Sequence, residues 1–475
     1  VPKHTHQPEP LEVERPRWWT LAIWILIWSA VATVFYHASR GVINYYTTIT
    51  WTLPFGVGII GLWGAVVSYP IIKRQPRSDE EVGTVEHPLH VFITTKGRAN
   101  VLGALTRVIR STTHFESHFR NYVVHIVTDE GCEAMAEIRA LAAQVGAEVE
   151  VVPSSYRTAR GARFKARASQ YSLERLIEYY GGREKIPYNC WTYRLDDDTS
   201  VGACTVRKLA AFILQNQDAD SKHLAQGILA YRRSNSTSVW MWLADSIRTA
   251  DDLFRFPLTT GRGTPRAGLH GENLLVRTWA EVQIGWDFPN ELVEDSRFGL
   301  KFCEMFPGRS AWITARVFGA TPVTSWDFVS QRQRWADGMF GLAFDRNIPL
   351  RYRWLIMHNM IVWATGITQP VLVVLGISFM VGDFNVAPIF PWLAPLWVLS
   401  VGYTYWAYWE GLRQNAYASG MKAPSIAHRL MLIPGIIWFS LLEGAGGTFG
   451  SAVRVTRWFR REKEVKEFTG IAKPA

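Results

Sequence analysis

A chain of 475 residues exceeds one ordinary domain and can bury a sizeable core. Its composition, 48% hydrophobic with 22 Trp, points to membrane contact. The net charge of +10 raises nucleic acid as a partner, but the basic residues gather beside hydrophobic blocks (Arg15, Arg17, Lys73, Arg74, Arg351, Arg353, Arg457, Arg460, Arg461, Lys463), and no recognition module accompanies them. That distribution argues against nucleic acid and fits a cytoplasmic membrane face.

Residues 1–17 are polar and Pro-containing and read as a disordered cytosolic tail. Two apolar stretches follow within 18–72: Trp18 to about Ala38, and about Ile49 to Ile72. Each is long enough to cross a bilayer, and the first has no cleavage site after it, so it reads as a retained span. Two crossings return the chain to the cytosol.

From 86 to 345 the composition is that of a soluble domain. Short β-rich runs (90–95, 121–129, 147–153, 191–198) alternate with helical patterns such as RANVLGALTRVI and FKARASQYSLERLIEYY. Such alternation predicts an α/β domain with a mostly parallel sheet and helices on both faces, whose ligands bind at the carboxyl ends of the strands. Cys132, Cys190, Cys204 and Cys303 all lie here without CxxC spacing, which argues against disulfides and zinc and for a reducing, cytosolic location.

The acidic residues at strand ends carry the chemistry. Asp196 and Asp198 share a face of their strand while Asp197 points away; two such carboxylates suit Mg2+ or Mn2+ on a sugar-nucleotide diphosphate. A solvated acidic turn is the plain alternative. Asp129 closes the second strand, where it either contacts a nucleotide or caps the next helix. Lys165 and Arg167 open a helix, a place that favours phosphate, or are simply its solvated basic start. Glu294 and Asp295 begin another helix; they either steady its dipole or, in sugar transfer with inversion, supply the base that deprotonates the acceptor hydroxyl, a role that falls to Asp295. Gln331, Arg334 and Trp335 lie just before the next apolar block. Arg matches phosphate and Trp matches the apolar face of a sugar, and the same residues suit an interfacial helix.

Taken together, Asp129, Asp196-Asp197-Asp198, Glu294-Asp295 and QRQRW, in this order and flanked by hydrophobic spans, resemble the membrane-bound members of glycosyltransferase family 2. Within that family FKARASQY (164–171), LHGENLLV (269–276) and TPVTSWDFVSQRQRW (321–335) resemble the egghead-type β-1,4-mannosyltransferases. The resemblance implies a GT-A fold, an inverting mechanism, a divalent metal and, as in animal members, mannose from GDP-mannose as the donor sugar and a glycolipid acceptor. It places Asp129, Lys165, Arg167, Asp196, Asp197, Gln331 and Arg334 on the nucleotide sugar, Asp196 and Asp198 on the metal, Asp295 with Glu294 at the reacting hydroxyl, and Gly271, Glu272, Asn273 and Trp335 at the acceptor. Animal members carry mixed Asp and Glu where this chain has three Asp.

Residues 352–452 hold three further apolar blocks, at about 354–380, 391–412 and 426–452, ahead of a basic tail at 453–475. An odd count would leave that tail outside, against the positive-inside tendency. Pro434, Glu443 and the glycines 444, 446 and 447 therefore predict a broken or re-entrant last segment, with Glu443 buried among helices. The whole reads as an integral, multi-pass protein of a plasma or inner membrane with a cytosolic GT-A domain and an α-helical transmembrane domain. A processive polysaccharide synthase is the alternative, for which five apolar blocks are few; a transporter with a nucleotide-binding domain lacks both a P-loop and repeats.

Overall fold

The structure is a computed structural model, and it describes residues 13–38, 55–74, 80–266, 269–289, 291–367 and 394–460. In chain order, α1 (Trp18–Ala38) and α2 (Phe55–Arg74) precede β1 (Leu89–Thr94), α3 (Leu102–Ser111), β2 (Tyr122–Asp129), α4 (Met135–Val145), β3 (Glu148–Val152), α5 (Phe164–Tyr179) and β4 (Trp191–Asp196). The second half runs through α6 (Ala203–Gln215), β5 (Leu224–Tyr231), α7 (Val239–Ala244), α8 (Ser246–Leu258), β6 (Leu274–Arg277), α9 (Thr278–Ile284), α10 (Glu294–Met305) and β7 (Ser310–Gly319). It closes with α11 (Ser325–Phe344), α12 (Leu350–Ala364), α13 (Ala394–Ala418) and α14 (Ile426–Phe459).

The seven strands form one sheet in the order β3-β2-β1-β4-β6-β5-β7. All neighbours are parallel except β6, which is antiparallel to β4 and to β5. The mostly parallel α/β sheet expected from the sequence is thus present, with one reversed strand. β5 shows why such strands tolerate no alternation: all eight of its residues are buried, since helices cover both faces. Reversal of β6 brings the loop before it, His270 to Asn273, beside the carboxyl end of β4.

Helix starts follow local chemistry. Thr324 and Asp327 form a reciprocal capping box at α11, and the Ser425 hydroxyl accepts from the His428 amide at α14. α4 ends at Gly146, whose φ of 67° suits glycine.

The apolar helices do not stand apart from the sheet. Val91 and Ile93 of β1, Trp24 of α1, Ala65 of α2, Trp406 of α13 and Phe439 of α14 belong to one continuous hydrophobic core. At Gly64 in α2 an added Cβ would lie 1.5 Å from the Phe254 carbonyl oxygen, and at Gly411 in α13 it would lie 1.8 Å from that of Ser246. Both helices therefore meet the backbone of α8 directly.

Three expectations change here. Residues 13–17 are packed, not disordered: Val13 is buried, Gln414 Nε2 donates to the Glu14 carbonyl at 2.7 Å, and Arg413 pairs with the Glu14 carboxylate. The first twelve residues lie outside the described ones. The segment expected to break at Pro434 is instead one helix of 34 residues, because Pro removes a single bond and the glycines serve close packing. Glu443 does lie among helices, paired with Arg332. Among the described helices only α14 is long and apolar enough to cross a membrane, and Trp18–Thr33 is a shorter apolar run; residues 368–380, about half of the block at 354–380, lie outside the described residues.

Candidate active site

The carboxyl ends of β1, β2 and β4, the loop before β6 and one side of α11 enclose a cavity of about 210 Å³. Thr95, Lys96, Asp129, Lys165, all three of Asp196 to Asp198, Glu272, Gln331, Arg334 and Trp335 contribute to its walls. The cavity lies at the strand ends, where the sequence pattern put the candidate ligand site.

One wall is acidic. Carboxylate oxygens of Asp196, Asp198 and Glu272 all lie within 4.8 Å of one another. Glu272 accepts from the Thr199 hydroxyl at 3.0 Å, and burial together with Asp196 and Asp198 holds its carboxyl well above the usual range. Three crowded carboxylates of this kind fit a hard divalent cation, which would relieve their repulsion. Glu272, expected at the acceptor, belongs with this cluster. Asp197, expected to point away, also lines the cavity and accepts from the Thr95 hydroxyl at 2.8 Å, because strand alternation ends at Asp196.

The same cavity also carries cations. Lys96 and Arg98 follow β1, and Arg334 projects from α11. Burial, and then Arg98, lowers the Lys96 ammonium below its ordinary pKa; burial also lowers Arg334, against the pull of Glu294, Asp196, Asp198 and Asp295. A cavity lined by both a carboxylate cluster and desolvated cations suits a polyanion bridged by a metal.

The helix-start pair divides its duties. Lys165 bonds Asp196, lies 3.8 Å from Glu294 and donates to the Gly271 carbonyl at 3.3 Å. Although burial opposes it, Asp196, Glu294 and Asp295 hold its pKa above the ordinary lysine value. Arg167 does not line the cavity. It bonds Asp129 at 2.8 Å and the Pro153 and Tyr156 carbonyls, so it positions Asp129.

Glu294 and Asp295 sit beside the cavity at the start of α10. Asp295 accepts from the Gly271 amide at 2.8 Å and the Ser296 amide at 2.7 Å. Burial pushes the Glu294 carboxyl up to about 7, with Lys165 opposing. Gly271 is bound on both sides, and a Cβ there would come 2.5 Å from Lys165 Nζ. Asn273, expected at the acceptor, is buried in the sheet with φ of 53°: its amide donates to Ile228 and Ala315 carbonyls at 3.2 and 2.9 Å and its oxygen accepts from Tyr193 at 2.8 Å. It anchors the loop from below.

Gln331 accepts from Arg332, whose fully buried guanidinium also reaches Asp245 and Glu443. Trp335 lies under two cations, Arg248 at 4.4 Å and Arg332 at 4.8 Å from its ring. Arg248 is hydrogen-bonded to His270, and His270 to buried Asp252 at 2.7 Å. Arg248 and Asp252 carry no sequence pattern that marks them, and Arg332 and His270 lie within QRQRW and LHGENLLV without being singled out there. Lys96 and Arg98 did have one, since they directly follow a strand on the ligand-binding edge.

Residues 191–409 match the family model described as glycosyl transferase family group 2. Among curated proteins it is similar to the β-1,4-mannosyltransferase bre-3 of Caenorhabditis elegans, 28% identical over 281 residues covering 58% of this chain and 57% of that protein. It is likewise similar to the β-1,4-mannosyltransferase egh of Drosophila melanogaster, 27% identical over 266 residues, 55% of this chain and 54% of that one. The chain thus spans a little over half the length of these relatives. Among solved structures, the mannosyltransferase PcManGT of Pyrobaculum calidifontis, in complex with GDP-Man and Mn2+, aligns over 90% of this chain and 99% of its own at 14% identity and a TM-score of 0.41.

Proposed function

We propose that this chain is an integral-membrane, metal-dependent, inverting hexosyltransferase that moves mannose from GDP-mannose to a lipid-linked acceptor at the cytoplasmic face. The observation that carries this reading is one cavity lined by the carboxylate cluster of Asp196, Asp198 and Glu272 together with Lys96, Arg98 and Arg334. The names of the similar proteins favour mannose, and the apolar helices that share the core favour a membrane lipid.

In this reading Asp129, held by Arg167, meets the nucleoside, and Asp197 stays on the donor side through Thr95. Asp196, Asp198 and Glu272 hold Mg2+ or Mn2+, which when bound neutralises charge on the departing diphosphate. Arg334 and Gln331 contact that diphosphate from α11. Trp335 backs the acceptor, and Asp295 takes the proton of its hydroxyl. The acceptor oxygen bonds the anomeric carbon from one side as the bond to the phosphate oxygen breaks on the other, so GDP leaves with the electron pair. Lys165 keeps Asp196 and Gly271 in register, and Gly271 in turn fixes Asp295.

The test is incorporation of label. Purified protein is incubated with GDP-mannose, UDP-glucose or UDP-N-acetylglucosamine, Mn2+ or Mg2+, and a membrane lipid extract. Mannose entering a lipid fraction only with metal is the expected result; label in a high-molecular-weight polymer, or none with any donor, overturns it.

A further inference from the structure

α14 is long and apolar enough to cross a bilayer, yet its contacts bind both of its ends to the same α/β domain. Near its start, the His428 ring packs against Trp242 of α7 at 5.0 Å, and Phe439 packs against Trp240 at 5.6 Å. In the middle, Glu443 pairs with Arg332 of α11. An added Cβ at Gly446 would lie 2.4 Å from that of Arg332, and one at Gly450 would lie 2.3 Å from the Gln333 carbonyl oxygen. Near its end, Arg457 pairs with Asp337 at 2.7 Å and Trp458 meets Phe340 at 5.8 Å. α7 follows β5 and α11 follows β7, so every one of these partners grows out of the sheet.

The outer face differs. Ile426, Leu430, Ile433, Ile437, Trp438 and Phe449 are exposed on one side of the helix, and between Trp438 and Phe449 that side is covered by the end of α12, where the Thr448 hydroxyl donates to the Ala364 carbonyl at 2.9 Å. The charged residues lie elsewhere on the helix: Glu443, Arg454 and Arg457 pair with α11, and Arg429 stacks over Trp409 of α13. A 34-residue helix is roughly 51 Å long at the α-helical rise, against about 30 Å of hydrocarbon, so a crossing would carry one end well past the bilayer.

We infer that α14 does not cross the bilayer but lies along its cytoplasmic surface, its inner face clamped to α7 and α11, the middle of its other face covered by the end of α12, and the exposed apolar residues on either side of that contact immersed in lipid. Resting on the membrane reading above, this keeps Arg457 and Arg460 on the cytosolic side without any hairpin. It also places the helix bearing Gln331, Arg334 and Trp335 directly on a lipid-immersed partner, where a lipid acceptor arrives.

The test is depth. Full-length protein in phosphatidylcholine/phosphatidylglycerol vesicles carries a spin label at one exposed position at a time: Ile426→Cys, Ile437→Cys, Ala452→Cys or Phe459→Cys. Relative accessibility to oxygen and to a water-soluble nickel complex reports immersion. The four sites are expected to share one shallow depth, ~5–10 Å inside the surface. A profile that deepens to the bilayer centre and emerges on the far side shows a crossing and overturns the inference. Four water-exposed sites overturn the lipid contact itself. No substrate is involved, so an error about donor or acceptor leaves these readings unchanged.

Discussion

Arg332 Nε meets Glu443 Oε1 at 2.9 Å, joining α11 to α14 across 111 residues of sequence, while its Nη2 reaches Asp245 at 2.6 Å. The same guanidinium bonds Gln331 and lies 4.8 Å from the Trp335 ring. A side chain outside the lining of the cavity thus contacts two that line it.

Replacing it by an apolar residue strands Asp245, which is almost wholly buried. Arg332→Met is expected to destabilise the protein by ~3–5 kcal/mol, the usual result of leaving a buried charge unpaired. Glu443→Gln keeps the Asp245 pair and is expected to cost clearly less. Denaturation midpoints of the two variants in the same detergent check the order.

Asp198→Ala and Glu272→Gln each remove a carboxylate from the three-oxygen cluster. Outer partners of metal ligands are typically worth 10–100-fold in affinity, so loss of a direct ligand is expected to weaken Mn2+-dependent donor binding by at least about tenfold. Asn273→Asp, beneath the loop and away from the cavity, is expected to act on stability instead. Mn2+ titrations of donor binding separate the cases: Mn2+ dependence unchanged in Glu272→Gln removes Glu272 from the cluster.

Glu294, held at about 7 by burial, is largely protonated in mild acid and ionised in mild base. Ionised, it adds negative charge beside Asp295 and strengthens that carboxylate's hold on the acceptor proton. Transfer by the unaltered protein is therefore expected to rise through about pH 7, and Glu294→Gln to flatten that rise. Asp295→Asn is expected to lower kcat by ~10²–10⁴-fold at every pH with donor affinity nearly unchanged. Near-normal turnover in Asp295→Asn would remove it as the base.

Gly271→Ala puts a methyl group 2.5 Å from Lys165 Nζ, which has to leave Asp196 or the Gly271 carbonyl. Donor binding and transfer are expected to fall together while the melting temperature changes little, since the displaced atom ends a flexible chain. A variant with full activity would show that the Lys165 contacts are dispensable.

The sequence made β1 to β4 legible because each is bounded by turns and followed by a helical pattern, and their ends delivered Asp129 and Asp196 to Asp198. β5 was harder: LAQGILAY is buried throughout and has neither alternation nor a helix-length run. The reversed β6 hid behind HGEN, which the family resemblance marked as functional without showing that Glu272 turns into the cavity while Asn273 turns under it. One residue's step around a positive φ separates those fates. Arg248 and Asp252, and the part His270 plays with them, were invisible for a different reason: their roles come from long-range packing among α8, the loop before β6 and α11, which leaves no local spacing to read.

The contacts of Gly64 and Gly411 with the backbone of α8 bear on how this chain can be handled. A soluble fragment cut at 86 and 345 would keep every cavity residue and still lose the floor of its own core, since α8 would present a bare groove where two helices had lain. Such a fragment is expected to aggregate on expression. The minimal folding unit is the assembly of sheet and apolar helices together, and exchanging the catalytic half onto another protein's anchor would require carrying those two glycine seams with it.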